Sequence, residues 1–256
     1  PDMGTTGYGA KMHYDYYKNS ATHNTLSVNQ TNQPPANPQV SGWHMDSDAL
    51  WLDSEVDWGK PPPELDSHSR VEWDATAWRD VRFRRRLLWL EEVLIDLSTV
   101  ENPHRQQLDW TLHLAAQALD QSGTPQPFSL SGPLRHMANA TMAPLNGCQP
   151  RHFARDGDTV ALWLSGDGEL WQGVAPDNPA THDLSYLVIR SHLPQARFVC
   201  LWDFANSAPL TEVQVNHTPV GTQITFWRGE RVTHVTLYDA PGKRPDAIFP
   251  FAESGT

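Results

Sequence analysis

The sequence lacks most of the features that assign a chain to a common enzyme class. It has no Cys-x-x-Cys pair, no Gly-rich phosphate-binding loop before a helix, and no Gly-x-Ser-x-Gly turn. Thiol redox, nucleotide-hydrolysing and serine-hydrolase motifs are therefore absent from it. Only two cysteines occur, Cys148 and Cys200. They could pair or remain free core thiols, and so few cysteines indicate no redox compartment. No apolar run approaches the roughly 18–20 residues of a membrane span.

Positive charge is also scarce. The 256 residues contain 19 Lys and Arg against 30 Asp and Glu, for a net charge of −11. Such a balance argues against nucleic acid and anionic membranes as general partners. A site for an acidic glycan would have to be locally positive. The 39% apolar content and the 11 tryptophans predict a globular chain with ample core.

What the chain does contain is a series of strand-like segments. Leu108, Trp110, Leu112 and Leu114 alternate with polar residues, and this alternation favours a strand over a helix for 106–119. The other segments are β-branched or aromatic runs, with turn signals between several of them; they are 25–29, 159–164, 184–189, 197–204, 223–227 and 231–238. Long helical periodicity is missing. The pattern predicts an all-β fold, a large antiparallel β-sandwich, with 1–256 as one domain.

Two stretches interrupt the strand pattern. Residues 30–68 are rich in proline, and Trp43, Trp51 and Trp58 stand there among acidic residues. Residues 121–151 are rich in Ser, Pro, Gly and Asn. Both are predicted to be long surface loops. The tryptophans could stack on sugar rings, but packing in the core or at an interface is the preferred interpretation.

Asp2 and His23 stand at the two ends of a Gly/Tyr-rich segment that leads into a strand. Carboxylate and imidazole are ordinary ligands of zinc. Two donors do not complete a tetrahedral site, so we expect this segment to be part of a site that continues before Pro1. The alternative is a loop aspartate near a terminus and a hydrogen-bonded core histidine.

The same segment resembles the C-terminal β-domain of heparinase II/III-type polysaccharide lyases, which include alginate and glycosaminoglycan lyases. The resemblance rests on three stretches. The first runs from Asp2-Met-Gly to Thr22-His-Asn-Thr-Leu-Ser-Val. The second, Arg82-Phe-Arg-Arg-Arg with Leu94-Ile-Asp-Leu, resembles the family's "RR…L…vD" strand pair. The third, Leu108-Asp-Trp-Thr-Leu-His, resembles its "yDw-lH" strand. The resemblance is good over about residues 1–115 and thin beyond.

The resemblance implies a structural zinc ion held by Asp2, His23 and a histidine upstream of Pro1. It also implies an N-terminal helical toroid in the same protein that carries the main catalytic residues. A periplasmic or secreted location follows from the family alone. Asn24 and Thr25 complete the signature, and both are interpreted as structural.

Tyr17 and Tyr16 are the best matches to a tyrosine that faces the cleft in some relatives. Uronate lyases remove the proton next to a carboxylate and protonate the leaving oxygen, and tyrosine suits both steps when its pKa is shifted. The alternative is that these tyrosines pack at the base of a loop. His13 is a weaker candidate for the cleft.

Arg82, Arg84 and Arg86 alternate onto one face of a strand, with Phe83 opposite. Arg82 and Arg84 are candidate substrate-binding residues, because guanidinium groups bind carboxylates bidentately. The alternative is a solvated strand face that pairs with Glu91, Glu92 or Asp96. His113 could line a domain interface and contact substrate, or be a satisfied structural histidine.

The sequence therefore predicts the C-terminal part of a polysaccharide lyase that cleaves uronic-acid glycans by β-elimination. The isolated chain is expected to be inactive but to supply metal ligands and one wall of the cleft. The alternative is a non-catalytic carbohydrate-binding or scaffolding β-sandwich.

Overall fold

The computed structural model describes residues 9–47, 49–60, 72–120, 123–125, 132–205 and 207–248. Nearly all regular structure in these ranges is β. The described strands are β1 (Leu26–Val28), β2 (Gln39–Met45), β3 (Ala49–Asp57), β4 (Arg82–Leu90), β5 (Val93–Glu101), β6 (Leu108–Leu114), β7 (Gln117–Ala118), β8 (Thr124–Pro125), β9 (Ala138–Leu145), β10 (Gln149–Arg155), β11 (Asp158–Gly166), β12 (Gly168–Pro176), β13 (Asp183–Ser191), β14 (Gln195–Asp203), β15 (Glu212–Thr218), β16 (Gly221–Arg228), β17 (Arg231–Tyr238) and β18 (Asp246–Ile248). Three short helical turns accompany them: a π-helical turn at His13–Tyr17 and 3₁₀ turns at Ser20–Thr22 and Gly132–His136.

The strands form three sheets whose named strand pairs are all antiparallel. The six-stranded sheet has the order β1-β6-β13-β12-β9-β8. The eight-stranded sheet has the order β2-β3-β4-β5-β14-β11-β10-β7. A four-stranded sheet follows the chain order β15-β16-β17-β18. The predicted antiparallel β-sandwich is confirmed, with one additional sheet that the sequence pattern did not separate from the rest.

Apolar side chains bury both faces of the eight-stranded sheet. On one face, Phe83 and Phe198 pack with Trp110 and its neighbours from the six-stranded sheet. On the other face, Leu88 and Ile95 pack with Phe226 and other residues of the four-stranded sheet. Because successive side chains of a strand point to opposite faces, β4 contributes to both cores.

A third apolar cluster covers the outer face of the six-stranded sheet. It joins Tyr16 and Tyr17 of the π-helical turn to Leu134, Tyr186 and Val188. Every residue of β6 is consequently buried, including the polar side of the predicted alternation. The alternation predicted the strand correctly, while the burial of its polar side depends on this additional layer.

The prediction of two long loops is wrong in part. The 30–68 stretch contains β2 and β3, and the 121–151 stretch contains β8, β9 and the start of β10. The acidic residues obscured β3, because Asp53 is fully buried as an ion-pair partner and does not lie on a surface loop. Small side chains weakened the strand signal of β9, which pairs with β12.

Both cysteines are free, with Cys148 half-buried and Cys200 buried. Burial raises the pKa of Cys148 to about 12 and that of Cys200 well above its ordinary value. Neither thiol is therefore ionised near neutral pH. No helix in the described ranges is long and apolar enough to cross a membrane.

Candidate functional site

The three sequence stretches that carry the resemblance meet at one turn of the chain. His23, Asn24 and Thr25 follow the 3₁₀ turn and lead into β1, at the edge of the six-stranded sheet. β4, β5 and β6 supply the groups that hold this turn in place. Residues 61 to 89 positions away in the sequence therefore determine its conformation.

β6 holds the turn from one side. The Thr111 hydroxyl donates to the carbonyl oxygens of His23 (2.6 Å) and Thr25 (2.9 Å). The backbone N–H of His113 donates to the Asn24 side-chain oxygen at 2.7 Å. These bonds restrain the chain from the His23 carbonyl to the Thr25 carbonyl, and the His23 side chain remains half-buried. The structural interpretation of Asn24 and Thr25 agrees with these contacts.

β4 and β5 hold the turn from the opposite side. Arg85 Nη1 donates to the Asn24 carbonyl at 2.8 Å, while Arg85 Nε donates to Asp96 at 3.0 Å. Burial acts to lower the pKa of Arg85, but the charge of Asp96 and the hydrogen bonds to it leave the pKa raised. Arg85 therefore stays charged, and Asp96 fixes its position. In this chain, an arginine and the aspartate of the "RR…L…vD" pattern thus form an ion pair.

Arg85 is the important residue that sequence reasoning missed, since only Arg82 and Arg84 were taken as candidates. The sequence does contain a signal for the role of Arg85. Alternation places Arg85 on the same side as Phe83, towards the six-stranded sheet, and the sequence analysis had named Asp96 as a possible partner of this strand.

The structure gives Arg84 a role within the fold. Its Nε and Nη2 donate to the two oxygens of Asp53, each at 2.7 Å, and Nη2 also donates to the Ala240 carbonyl at 3.1 Å. The side chain is 8% exposed. Because protein acceptors occupy these donors, the contacts favour a structural role for Arg84 over the predicted platform for a uronate carboxylate.

Arg86 lies on the same face and is also buried. Burial, followed by the charge of Arg84, lowers the pKa of Arg86 to about 10. Arg82 is the most exposed of the three, but its guanidinium lies within 4 Å of Glu55, Asp57 and Glu101. The arginine face thus pairs with carboxylates of this chain, but the partners described for these three arginines do not include Glu91, Glu92 or Asp96.

Tyr16 and Tyr17 are buried, with exposed fractions of 0% and 2%. The Tyr17 hydroxyl donates to the Asp177 carbonyl, and Tyr16 packs against His136 with ring centroids 4.9 Å apart. Burial raises the pKa of both hydroxyls, and Asp177 raises that of Tyr17 further. Their environment favours the alternative, packing at the base of a loop, over the predicted position in an open cleft.

The remaining histidines of the prediction are also buried. His113 stacks on Tyr186 with ring centroids 4.0 Å apart, and the Tyr186 hydroxyl donates to the Ala21 carbonyl. This arrangement favours the structural interpretation of His113 over substrate contact. His13 is 1% exposed and meets Tyr14 edge to face.

Of the residues predicted to bind zinc, His23 lies within the described ranges. Asp2 lies outside the described residues, as does any ligand before Pro1. Within the described ranges, no three His, Cys, Asp or Glu side chains are grouped closely enough to hold a metal ion. The donor set within these ranges is therefore incomplete, and we derive no chemical step through a metal.

Comparison with known proteins agrees with the geometry. A family model described as "Heparinase II/III-like, C-terminal" matches residues 1–200. A search of curated proteins gives no significant match. Residues 201–256, which include the four-stranded sheet from β15 onward, lie beyond the family match.

Two solved structures illustrate the similarity of fold. A heparinase III with methylated lysines matches at a TM-score of 0.60 and 9% identity, over 93% of this chain and 33% of that one. A mutant of the heparan sulfate lyase HepC from Pedobacter heparinus matches at a TM-score of 0.56 and 12% identity, over 93% and 34%. The chain thus spans about a third of the length of these structures. Together with the family match, the convergence of the three motifs on one turn leads to a single conclusion: the chain belongs to the heparinase II/III-like family, of which it carries the C-terminal β-sandwich domain.

Proposed function

We propose that this chain is the C-terminal part of a polysaccharide lyase that cleaves uronic-acid glycans by β-elimination. In that reaction the uronate carboxylate is neutralised, a base removes the adjacent proton, and an acid protonates the leaving oxygen. The main acid and base belong to the part of the protein before Pro1. This chain contributes the His-Asn-Thr turn and one wall of the cleft.

The observation that carries the proposal is the anchoring of His23. Thr111 and Arg85 bind the backbone of residues 23–25 from two different sheets, while the imidazole is held only half-buried. A turn held from both sides presents its side chain in one position, as a metal ligand requires. We propose His23 as one ligand of a structural zinc ion, with Asp2 and an upstream histidine as the others.

The burial of Tyr16 and Tyr17 assigns them a different part in this proposal. They form the base beneath residues 20–25, and Tyr186 of the same cluster binds the Ala21 carbonyl. We therefore propose that these tyrosines position the turn and do not transfer protons. The location, periplasmic or secreted, remains part of the proposal.

The test is replacement of His23 by alanine in the whole protein. Zinc content, measured by elemental analysis, should fall by about one ion per chain, and formation of unsaturated uronate should decrease with it. His192→Ala is the matched control, since His192 is an exposed histidine on the loop after β13. Equal zinc content in the wild type and His23→Ala would remove the ligand assignment. A protein active on no uronate glycan would remove the lyase proposal.

A further inference from the structure

A pocket of about 270 Å³ lies at the end of β3. Three tryptophans line it: Trp58, Trp73 and Trp78. Its volume is just below the range of about 300–1,000 Å³ that is usual for drug-sized ligands. The pocket therefore suits a single ring or a short segment of a chain. The sequence pattern points to Trp58 as a residue that could stack on sugars, whereas Trp73 and Trp78 join it only in the fold.

Hydrogen bonds fix two of the three indole rings. Trp58 Nε1 donates to the Pro34 carbonyl at 3.1 Å, and Trp78 Nε1 donates to the Thr31 hydroxyl at 3.0 Å. The rings of Trp58 and Trp78 lie 4.4 Å apart, between centroids, at 56° to each other. Trp73 is 38% exposed, whereas Trp78 is fully buried. The pocket thus has a rigid aromatic base and one aromatic side chain accessible from solvent.

Carboxylate and amide side chains also line the pocket. Glu55 and Asp57 are carboxylates on β3, and Asn37 and Gln39 add two side-chain amides. Arg82 holds the carboxylates from outside the pocket, with Nε 3.8 Å from Glu55 and Nη2 3.5 Å from Asp57. Carboxylate and amide oxygens accept hydrogen bonds from hydroxyl groups, and amide nitrogens donate to ring and acetamido oxygens.

The charge of the lining selects against an acidic ligand. Among the described residues that line the pocket, the two carboxylates outnumber the cationic side chains, since Lys60 alone is basic and lies 3.7 Å from Asp57. A uronate carboxylate bound here would meet like charges. An uncharged pyranose would meet aromatic faces and hydrogen-bond acceptors without that repulsion.

We propose that this pocket binds a neutral pyranose unit of a glycan, a hexose or an N-acetylhexosamine, as a non-catalytic site. Trp73 provides the accessible stacking face, and Glu55 and Asp57 accept hydroxyl hydrogen bonds. The site depends neither on a metal nor on His23, so it is independent of the proposed lyase activity. A glycan that alternates uronate with an uncharged sugar would supply a unit for each site.

The test is a binding titration of the whole protein, followed by tryptophan fluorescence and calorimetry. The probes are β-1,4-linked trimers of N-acetylglucosamine, of glucose and of mannuronate. We expect a neutral trimer to bind and the mannuronate trimer not to bind through this pocket. Trp73→Ala should weaken the binding of the neutral trimer by roughly tenfold, because the accessible aromatic face is lost. Trp43→Ala, on the 70% exposed Trp43 of β2, is the matched control and should change nothing.

A second variant tests the choice of ligand. Replacing Glu55 by Gln and Asp57 by Asn together keeps hydrogen-bonding groups but removes two negative charges beside Arg82. Binding of the mannuronate trimer should then increase, and no increase would overturn the charge argument. The proposal itself fails if neither neutral trimer binds, if Trp73→Ala leaves their affinity unchanged, or if wild-type protein binds mannuronate in a Trp73-dependent way. None of these outcomes depends on lyase activity, so failure here leaves the proposed function standing.

Discussion

Two neighbouring arginines of β4 serve opposite faces of the eight-stranded sheet. Arg84 points to the four-stranded sheet and binds Asp53 and carbonyls near Ala240. Arg85 points to the six-stranded sheet and binds Asp96 and the Asn24 carbonyl. Both pair with a buried carboxylate and both reach a backbone carbonyl of another element. Both arginines form the same kinds of contact, but Arg84 attaches the four-stranded sheet and Arg85 attaches the His-Asn-Thr turn.

The two attachments differ in what surrounds them. The four-stranded sheet also packs through an apolar cluster that includes Val213, Ile224 and Phe226, so Arg84 is one contact among many. The His-Asn-Thr turn touches the eight-stranded sheet through the polar contacts of Arg85, and its residues 23–25 are half-buried. The burial of its ion pair with Asp53 makes Arg84 more important for stability. Arg85 is more important for local geometry, because its guanidinium joins the eight-stranded sheet to the turn.

The largest expected effect is that of Asp53→Asn. This change leaves the Arg84 guanidinium buried without its counter-charge, which should lower the free energy of unfolding by about 3–5 kcal/mol. Urea denaturation of the wild type and the variant measures it. Glu101→Gln is the control, because Glu101 is 56% exposed in its pair with Arg82 and should change stability by less than about 1 kcal/mol. Similar effects of the two variants would contradict the burial argument.

Asp96→Asn should have a smaller effect on stability and a larger one on the turn. Arg85 is 28% exposed, so water compensates part of the lost pairing, and we expect a loss of about 2 kcal/mol. Amide hydrogen exchange over residues 23–28 should accelerate, because Arg85 no longer holds the Asn24 carbonyl. The comparison between the two arginines fails if Asp53→Asn accelerates exchange in this segment equally.

Thr111→Val tests the β6 side of the same turn. Valine keeps the shape of threonine but removes the hydroxyl that binds the carbonyls of His23 and Thr25. We expect a loss of about 1–2 kcal/mol in urea denaturation, and a fall in zinc content of the whole protein if His23 is a ligand. Thr99→Val, at a half-buried position of β5, serves as the control.

The smallest expected effects distinguish Tyr17 from Tyr16. Tyr17→Phe removes a hydrogen bond to the Asp177 carbonyl and should cost about 1 kcal/mol at pH 7. The Tyr16 hydroxyl is buried without a hydrogen-bond partner in the described part of the chain, so Tyr16→Phe should be neutral or slightly stabilising. A large loss from Tyr16→Phe would show that its hydroxyl has a partner outside the described ranges.

The dependence of the free energy of unfolding on pH provides a second test of the burial of Tyr16. Burial raises the pKa of Tyr16 above its unfolded value, so the folded state favours the protonated hydroxyl. The contribution of the protonated Tyr16 hydroxyl to the free energy of unfolding is fully present below about pH 10, the ordinary tyrosine pKa. This contribution is lost as the pH rises above that value. Urea denaturation at pH 7 and at alkaline pH should therefore show a smaller loss of stability for Tyr16→Phe than for the wild type. An identical loss in both would contradict the direction of this shift.

Much of the fold could be predicted from alternation. The strand at 108–114 lies where the pattern predicted it. Two-residue turns join β10 to β11 at Asp156-Gly157 and β16 to β17 at Gly229-Glu230. Both turn glycines have positive φ, of 92° and 62°, which is why glycine marks those positions. β3 was missed because alternation cannot distinguish an acidic side chain in a loop from one buried beside an arginine. The separate four-stranded sheet was also missed, because sheet membership depends on pairing and not on local pattern.

The candidate site was predicted less completely. His23 and its motif could be found in the sequence, but the burial of Tyr16 and Tyr17 could not, because it depends on Leu134 and Tyr186, far along the chain. The same holds for Trp73 and Trp78, which join Trp58 at one pocket only in the folded chain.

The sequence by itself determined many of the strands, the family and the acidic character of this protein, because these follow from the order and chemistry of neighbouring residues. Only the tertiary structure decided which face each charged side chain serves. A strand presents alternate residues to opposite sides whatever their charge, and the partner on each side comes from a distant segment. Arg84 and Arg85 are adjacent and chemically identical, and their different roles follow from what lies opposite each of them.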